Sequence, residues 1–195
     1  MYNSLGGIME TNLEIEYKTM ISKEAFQKLR REVFKSSAIK QVNTYYDTSD
    51  HTLLNKHIMM RIRRIDDNID EFTIKVQDNP GVMEYSFSES HIDIHHPKIE
   101  AFFTQHQLKG PFIKTSMSTT YRHIIEDDFG QWALDHTFSE HVEDFEIEYE
   151  VINDTMEVKQ RYLDFLNTHD IIYQKSLPKF IRSLQAHQQT LNELL

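Results

Sequence analysis

Charged and apolar residues alternate along several short segments of this 195-residue chain. The first segment, Leu13-Glu14-Ile15-Glu16-Tyr17-Lys18, carries two acids and a base at every second position. Successive side chains of a β-strand point to opposite faces, so one face of such a strand is apolar and the other carries the charges. The pattern therefore predicts an antiparallel sheet with an apolar face and a charged face.

Seven later segments continue this sheet, and turn residues separate several of them. The predicted strands are 42–48, 58–65, 71–77, 83–88, 118–126, 131–138 and 143–152, with turns at 66–68, 79–81 and 127–130. Their alternating charged positions are Arg61, Arg63, Lys75, Arg122, Asp135, Glu146, Glu148 and Glu150. The sign of the charge changes from strand to strand, so acids and bases are both expected on the charged face.

Four amphipathic helices are predicted between and after these strands. The first spans 23–34 after the cap residue Ser22, and the second begins at Pro97. The third runs from a capping-box-like start at Asp154 to about Asn167. The last begins at Pro178 with Ile181, Leu184 and Leu191 as its apolar residues. Eight strands and four helices indicate an antiparallel α+β fold.

The apolar stripes of these helices need an apolar sheet face to cover. If the helices cover the outside of a closed sheet, the charged faces line a lumen, and an eight-stranded barrel has room for one small ligand. The alternative is a sheet whose charged face lies in water. Charges inside a lumen must be paired, hydrated or liganded. A metal-bound polyphosphate would satisfy both signs, since carboxylates bind hard cations and basic side chains bind phosphate.

Composition excludes several functional classes. The formal net charge of -10 disfavours general nucleic-acid binding, and no apolar run approaches the roughly 20 residues of a membrane span. The absence of cysteine excludes disulfides and thiolate zinc sites and fits a cytoplasmic location. Residues 1–11 are expected to be a flexible tail, with 1–8 either native or upstream of a start at Met9. Residues 12–195 are expected to form a single domain.

The opening Glu14-x-Glu16-x-Lys18 resembles the ExExK signature of the CYTH domain, the superfamily of triphosphate tunnel metalloenzymes. The ordered series Arg61-x-Arg63, Lys75, Arg122, Asp135 and Glu146-x-Glu148 resembles the family's successive tunnel strands. The likeness covers about residues 12 to 190 and is greatest to small single-domain CYTH proteins of Gram-positive bacteria. It implies an eight-stranded antiparallel closed β-tunnel, with helices packed outside, that binds a triphosphate with Mg2+ or Mn2+.

The resemblance also implies a role for each matching residue. Glu14, Glu16, Glu146 and Glu148 would hold the metal, while Lys18, Arg61, Arg63, Lys75, Arg122 and Lys179 would contact the triphosphate. The catalytic set would be Glu14, Glu16, Glu148 and Asp135, with Asp135 orienting water or a second metal. Two points stay open: Glu150 competes with Glu146 and Glu148, and Lys175 competes with Lys179.

The expected reaction is metal-dependent hydrolysis of a triphosphate-containing small molecule. Inorganic tripolyphosphate, thiamine triphosphate and nucleoside triphosphates are the candidate substrates. A class IV-type adenylate cyclase is the first alternative, because both chemistries use a metal-bound triphosphate. A non-catalytic sensor of polyphosphate or nucleotide is the second. The expected partner is thus a small molecule rather than a nucleic acid or membrane, and the protein is expected to be a monomer or homodimer.

Overall fold

The computed structural model describes residues 9–77 and 81–193, which contain nine β-strands and five α-helices. The strands are β1 (Glu10–Glu14), β2 (Glu16–Met20), β3 (Ile39–Asp47), β4 (Ile58–Ile65), β5 (Ile69–Gln77), β6 (Val82–Glu89), β7 (Ile113–Asp127), β8 (Gly130–Ser139) and β9 (Val142–Val151). The helices are α1 (Lys23–Glu32), α2 (Thr52–Asn55), α3 (Pro97–Gln105), α4 (Met156–Thr168) and α5 (Lys179–Glu193). None of the helices in these ranges is long and apolar enough to cross a membrane.

The chain folds into two compact units. Among the described residues, unit 1 comprises 9–13, 43–77 and 81–115, and unit 2 comprises Glu14–Val42 and 116–193. Strands of unit 1 follow one another in the order β1-β6-β5-β4-β3, and those of unit 2 in the order β7-β8-β9-β2. The hydrogen-bonded pairs with defined register are antiparallel in both units. The fold is therefore α+β and antiparallel, as the alternation predicts.

Unit 1 is built on the β4–β5–β6 meander. Asp66 and Asp67 have φ of 46° and 56°, the left-handed pair that a tight hairpin turn requires. This turn sets the register so that Ile62 faces Phe72, which in turn faces Phe87. These three side chains belong to an apolar core to which α3 contributes Ile99 and Phe102. The charged positions of β4 and β5 consequently share the opposite face.

Unit 2 has a separate core on the apolar face of β7, β8, β9 and β2. Helices α1 and α4 cover this face, with Leu29 of α1 and Tyr162 of α4 almost completely buried. Trp132 is buried in this core and stacks on Tyr149 with ring centroids 3.9 Å apart. The charged positions of these strands therefore lie on the face that α1 and α4 do not cover.

Asp127 organises the hairpin between β7 and β8. Its carboxylate accepts hydrogen bonds from Trp132 Nε1 (3.0 Å), Tyr149 OH (2.9 Å), Arg161 Nε (2.9 Å) and the Phe129 amide (2.9 Å). Burial alone would raise the pKa of Asp127, but these donors outweigh it and lower the pKa to about 2. The predicted turn at 127–130 is thus a hydrogen-bonded hairpin that also holds the aromatic core.

Several strand and helix boundaries differ from the sequence prediction. The opening segment is two strands, because Ile15 separates β1 from β2, and this raises the count to nine strands among the described residues. Glu10 and Thr11, expected in the tail, begin β1, and Leu13, expected on the core face, is 42% exposed. Helix α4 is capped by Thr155, whose Oγ1 accepts from the Val158 amide, instead of Asp154. The short helix α2 was not predicted.

Two parts of the sequence prediction lie outside the described residues. These are residues 1–8 of the expected tail and the Asn79-Pro80 portion of the turn at 79–81. The closure of the sheet into a tunnel and the single domain at 12–195 stay predictions.

Helix α5 departs most from the expected packing. It begins at Lys179, directly after Pro178, but its buried residues are Ser183 and Ala186, while the predicted apolar residue Leu191 is 48% exposed. Its first turn contacts the charged face of unit 2 through Lys179 and Arg182. The prediction that all helices pack on the apolar side is therefore wrong for α5, whose small and basic residues suit a polar surface.

Candidate functional site

The strands of unit 2 bring five of the predicted site residues onto one face by register. Arg122 on β7 pairs with Asp135 on β8, which pairs with Glu146 on β9, and Lys18 on β2 pairs with Glu148 on β9. Asp135 and Glu146 have no exposed surface, and Glu148 is 9% exposed. Three carboxylates are thus buried side by side, which requires cations close to them.

Lys179 of α5 supplies one of these cations. Its Nζ lies 2.8 Å from Asp135 Oδ2 and 2.7 Å from Glu146 Oε2, and it also contacts Glu148 Oε1. The ammonium therefore contacts three different carboxylates and donates a hydrogen bond to that of Glu148. Lys175, the competing residue, is exposed. The point at which the three acids converge is a cation-binding position formed by two strands.

Arg122 supplies a second cation at the same acids. Its Nε and Nη2 donate to the two oxygens of Asp135 at 2.8 and 2.6 Å, and Nη2 also contacts Glu148 Oε2. Such a two-pronged guanidinium–carboxylate pair is stronger and more rigid than a single hydrogen bond. The Nη1 of Arg122 takes no part in these bonds, so the guanidinium retains donors for an anion.

These contacts shift the pKa of Asp135, Glu148 and Lys179 toward the charged form of each group. Burial would raise the pKa of Glu148, but Lys179 and Arg122 outweigh it and hold the pKa well below its usual range. The pKa of Asp135 is lowered for the same reason, against its burial. Burial would lower the pKa of Lys179, but Asp135, Glu146 and Glu148 raise it well above its usual value. Asp135, Glu148 and Lys179 are consequently ionised at neutral pH.

The opening Glu-x-Glu-x-Lys motif contributes to this face from β2. Lys18 Nζ contacts Glu16 Oε1, and both side chains are 24% exposed. Burial would lower the pKa of Lys18, but the charges of Glu16, Glu148 and Glu146 raise it on balance. Glu14 is the last residue of β1, which Ile15 separates from β2, and its side chain is partly buried. Glu150 faces Glu16 across the strand pair and is exposed.

Sequence reasoning missed Arg182, Asp144 and Ser176, which surround Glu146. Arg182 Nη2 lies 2.9 Å from Glu146 Oε2, and its Nε lies 3.0 Å from Asp144 Oδ2. Ser176 Oγ donates to Glu146 Oε1 at 2.8 Å. The spacing of Lys179 and Arg182, which puts both on one side of a helix, was the available signal.

Unit 1 carries a separate cationic cluster on β4 and β5. Glu71 Oε1 lies 3.3 Å from Arg61 Nη2 and 3.4 Å from Arg63 Nη1, and these two arginines hold the pKa of Glu71 below its usual value against its burial. Asn43 Oδ1 accepts from Arg63 Nε at 2.9 Å. The Nε of Arg61 is buried and has no hydrogen-bond partner among the described residues. A buried, unpaired guanidinium donor is costly unless an acceptor arrives, so this position suits an anion.

Lys75 of the same unit is paired across strands. Its Nζ lies 3.1 Å from Glu84 Oε2, and the two residues are direct neighbours in the β5–β6 register. Their side chains are 19% and 22% exposed. Unit 1 thus places three predicted phosphate-binding residues, Arg61, Arg63 and Lys75, on the charged face of two adjacent strands.

The donor chemistry of unit 2 fits a divalent metal ion. Mg2+ and Mn2+ take carboxylate oxygens, and Asp135, Glu146 and Glu148 direct theirs at one point. In the conformation described, that point holds the Lys179 ammonium. Accordingly, residues 9–77 and 81–193 contain no group of three or more acids and histidines spaced to hold a metal. A metal ion would therefore have to replace or displace the ammonium as the partner of these acids.

A family model and a relative of known sequence both match most of the chain. Residues 12–184 match the model of the CYTH domain. The Bacillus subtilis (strain 168) protein named "Putative triphosphatase YjbK" is 26% identical over 192 residues, which are 94% of this chain and 100% of that protein.

Two solved structures share the fold. The "putative adenylate cyclase" from Bacillus halodurans has a TM-score of 0.78 at 24% identity, covering 88% of this chain and 97% of that one. The Hippeastrum protein described as "Putative adenylyl cyclase HpAC1", with "a dominant triphophatase activity", has a TM-score of 0.68 at 20% identity, covering 88% and 95%. At these identities the two structures support the fold alone.

Proposed function

The chain belongs to the CYTH domain family, and from this premise we propose that it hydrolyses a small triphosphate-containing molecule with Mg2+ or Mn2+. The observation that carries the proposal is the convergence of three buried carboxylates on one cation, flanked by Arg122 and Lys18. A metal–triphosphate complex needs both elements together: acids for the metal and bases for the phosphates. The triphosphatase name of the Bacillus subtilis relative agrees with this reading.

The metal-holding residues in this proposal are Glu14, Glu16, Glu146 and Glu148. Glu148 is the strongest of these, because its pKa is held well below the usual range and it is ionised for metal binding. Asp135 is proposed to orient the attacking water or to hold a second ion. When bound, the metal would supply Lewis-acid neutralisation of the charge on the phosphate oxygens. Glu150 is left as the competitor of Glu146 and Glu148.

Phosphate oxygens would be bound by Lys18, Arg122 and Lys179 of unit 2 and by Arg61, Arg63 and Lys75 of unit 1. The buried, unpartnered Nε of Arg61 supports its role, because a phosphate oxygen would satisfy that donor. The guanidinium groups of the arginines can each donate two parallel hydrogen bonds to a phosphate. Such bonds would hold the substrate in the orientation in which water attacks in line with the leaving group. No covalent intermediate with the protein is required.

A phosphate-release panel tests the proposal. Tripolyphosphate, thiamine triphosphate and ATP are each incubated with the protein and Mg2+, Mn2+ or a chelator. We expect orthophosphate release from at least one substrate, abolished by the chelator and reduced at least about 100-fold by Glu148→Gln. Glu143→Gln is the matched control, because Glu143 lies on the same strand but pairs with His136 and Lys23 away from the cluster.

The other possible activities give different products in the same panel. Cyclic AMP and pyrophosphate from ATP would identify an adenylate cyclase, and tight metal-dependent binding without turnover would identify a sensor. Either result, or hydrolysis that is unaffected by Glu148→Gln in folded protein, would contradict the proposal. The cytoplasmic location and the monomeric or homodimeric state stay predictions.

A further inference from the structure

The guanidinium of Arg182 is committed entirely to the protein. Nε and Nη2 donate to the two oxygens of Asp144 at 3.0 and 3.3 Å, and Nη2 and Nη1 donate to Glu146 at 2.9 and 3.4 Å. Nη1 also donates to the Leu177 carbonyl. These five bonds use all five guanidinium hydrogens. Arg182 therefore has no donor left for a ligand in this arrangement, so any effect on a ligand must pass through its partners.

The partners of Arg182 lie on the two segments that form the cation-binding position, strand β9 and the residues leading into α5. Through Asp144 and Glu146 the guanidinium is joined to β9, and through Leu177 it is joined to the segment that leads into α5. Lys179 lies three residues before Arg182 on the same side of α5, so the two side chains reach the same strand. Glu146 accepts from both of them and from Ser176. Arg182 thus links the acid and the lysine through one helical turn.

Lys179 needs such a link because of its position. It is the first residue of α5, where helices fray, and its four-carbon side chain has many rotamers. A lysine in this place will meet three carboxylates only if the first turn of the helix is held against the strand. The bonds from Arg182 to β9 and to Leu177 supply that restraint on both sides of Lys179.

We propose that Arg182 is a positioning residue, anchored by Asp144, that holds Glu146 and the first turn of α5 against β9. Glu146 is then placed for the metal, and Lys179, once the metal has taken its position among the acids, stays beside the bound phosphates. This inference rests on the proposed function. It predicts that removing the guanidinium weakens ligand binding by folded protein. A role confined to stability would lower the amount of folded protein but leave the affinity of each folded molecule unchanged.

The test measures the dissociation constant of tripolyphosphate with Mg2+ by calorimetry, using the full chain and a non-hydrolysing condition such as low temperature. KM, kcat and the Mg2+ concentration for half-maximal turnover are measured alongside. For Arg182→Met, which keeps the aliphatic stem, we expect the dissociation constant, KM and the Mg2+ requirement each to rise about 10-fold. For Asp144→Asn, which keeps the bonds to Glu146, we expect a rise of about 3-fold.

Arg161→Met is the control, because Arg161 also pairs with an aspartate, Asp127, at 2.9 Å within the same unit. It should lower thermal stability without changing the dissociation constant. Arg182→Met with wild-type affinity, or Arg161→Met with an equal loss of affinity, would overturn the inference.

Two further results are decisive as well. If Arg182→Met does not fold, Asp144→Asn decides the question, and unchanged affinity in that variant would refute the positioning role. If the wild-type protein neither binds nor hydrolyses any triphosphate, the proposed function fails, and this inference fails with it.

Discussion

The two units of the molecule partner their cationic side chains in different ways. In unit 1, Arg63 and Lys75 each face their acid directly across a strand pair, Glu71 and Glu84 respectively. Those two acids are 23% and 22% exposed. In unit 2, cations from a strand and from a helix share three carboxylates that are almost or completely buried. Unit 1 forms cross-strand pairs, whereas unit 2 forms a network.

This difference indicates which kind of ion each unit can exchange. An anion entering unit 1 would compete with partly exposed acids for arginine and lysine donors, one of which, Arg61 Nε, has no partner among the described residues. A cation entering unit 2 would compete with Lys179 for carboxylates that cannot be left without a positive partner. Substitutions that remove an acid should consequently have opposite effects in the two units.

The largest effect is expected from Lys179→Met. The substitution leaves Asp135, Glu146 and Glu148 without the ammonium that contacts all three, and it removes a proposed phosphate ligand. We expect turnover to fall by about 100-fold or more and the free energy of unfolding to fall by about 3 kcal/mol. Phosphate release and urea denaturation measure the two losses.

Lys175→Met is the control for this substitution. Lys175 is exposed and four residues earlier, and it is the alternative that the sequence alone left open. We expect its turnover to stay within twofold of wild type. A greater loss of turnover in Lys175→Met than in Lys179→Met would reverse the assignment and remove the network from the proposed site.

A smaller effect is expected in unit 1 from Arg61→Met. This change removes one proposed phosphate ligand, but Glu71 keeps Arg63 as a partner. We expect KM for the triphosphate to rise by about 10 to 100-fold, the size of one lost charge-assisted hydrogen bond or two, with little change in stability. Steady-state kinetics and thermal denaturation separate these outcomes.

Arg64→Met controls for the loss of an arginine from the same strand. Arg64 pairs with Asp70 at 2.9 Å and bonds the Ser90 and Asp67 carbonyls, on the face opposite Arg61. Its substitution should lower stability and leave KM unchanged. An equal rise of KM in both variants would mean that Arg61 acts through the fold of unit 1 instead of through the phosphate.

The sequence predicts well which charged residues of the strands share a face, and the reason is physical. Alternation has a period of two, and residues with the same parity on paired strands necessarily share a face. The alternation alone therefore assigns Arg122, Asp135, Glu146 and Glu148 to one surface. The cross-strand pairing of Lys75 with Glu84 follows from the same rule once the register of β5 and β6 is known.

The position of α5, which contributes Lys179 and Arg182, could not be predicted in the same way. Helix α5 has apolar residues that suggest burial through Ile181 and Leu184, yet it uses Ser183 and Ala186 to approach a polar face closely. Which face a helix covers depends on tertiary contacts between distant residues, and periodicity alone does not encode them. The break at Ile15 was missed for a similar reason, because the alternation continues through it without interruption.

Asp127→Asn tests how much the β7–β8 hairpin, which lies outside the charged network, contributes to the stability of unit 2. The folded pKa of Asp127 is about 2, below its ordinary value of 3.8. A depressed pKa means that the carboxylate stabilises the fold above about pH 4 and loses this contribution as the pH falls through 2. We expect the substitution to cost about 2 kcal/mol at pH 6 and clearly less near pH 2.5, as measured by urea denaturation.

The same variant should leave catalysis almost unchanged, since Asp127 bonds Trp132, Tyr149 and Arg161 on the core side of the sheet. Turnover per folded molecule is the measurement. A penalty that stays constant with pH would show that the hydrogen bonds of the hairpin do not depend on its charge.

The smallest effect, and the most direct test of the contrast, is expected from Glu84→Gln in unit 1. The change removes a negative charge 3.1 Å from Lys75 Nζ, where both side chains are partly exposed. Pairs of this kind contribute less than about 1 kcal/mol, so stability should hardly change. The potential at Lys75 becomes more positive, and we expect the affinity for tripolyphosphate to rise by about 2 to 5-fold.

Glu89→Gln is the matched control for this last change. Glu89 lies on the same strand with the opposite parity and pairs with Lys98 at 2.6 Å. It should leave the affinity unchanged, while Glu148→Gln in unit 2 should lower it. If Glu84→Gln instead weakened binding as Glu148→Gln does, the acids of unit 1 would be supporting the ligand rather than competing with it. Removing an acid that faces a metal weakens binding, whereas removing one that faces a phosphate strengthens it. A loss of affinity in both variants would therefore mean that the two units use their carboxylates in the same way.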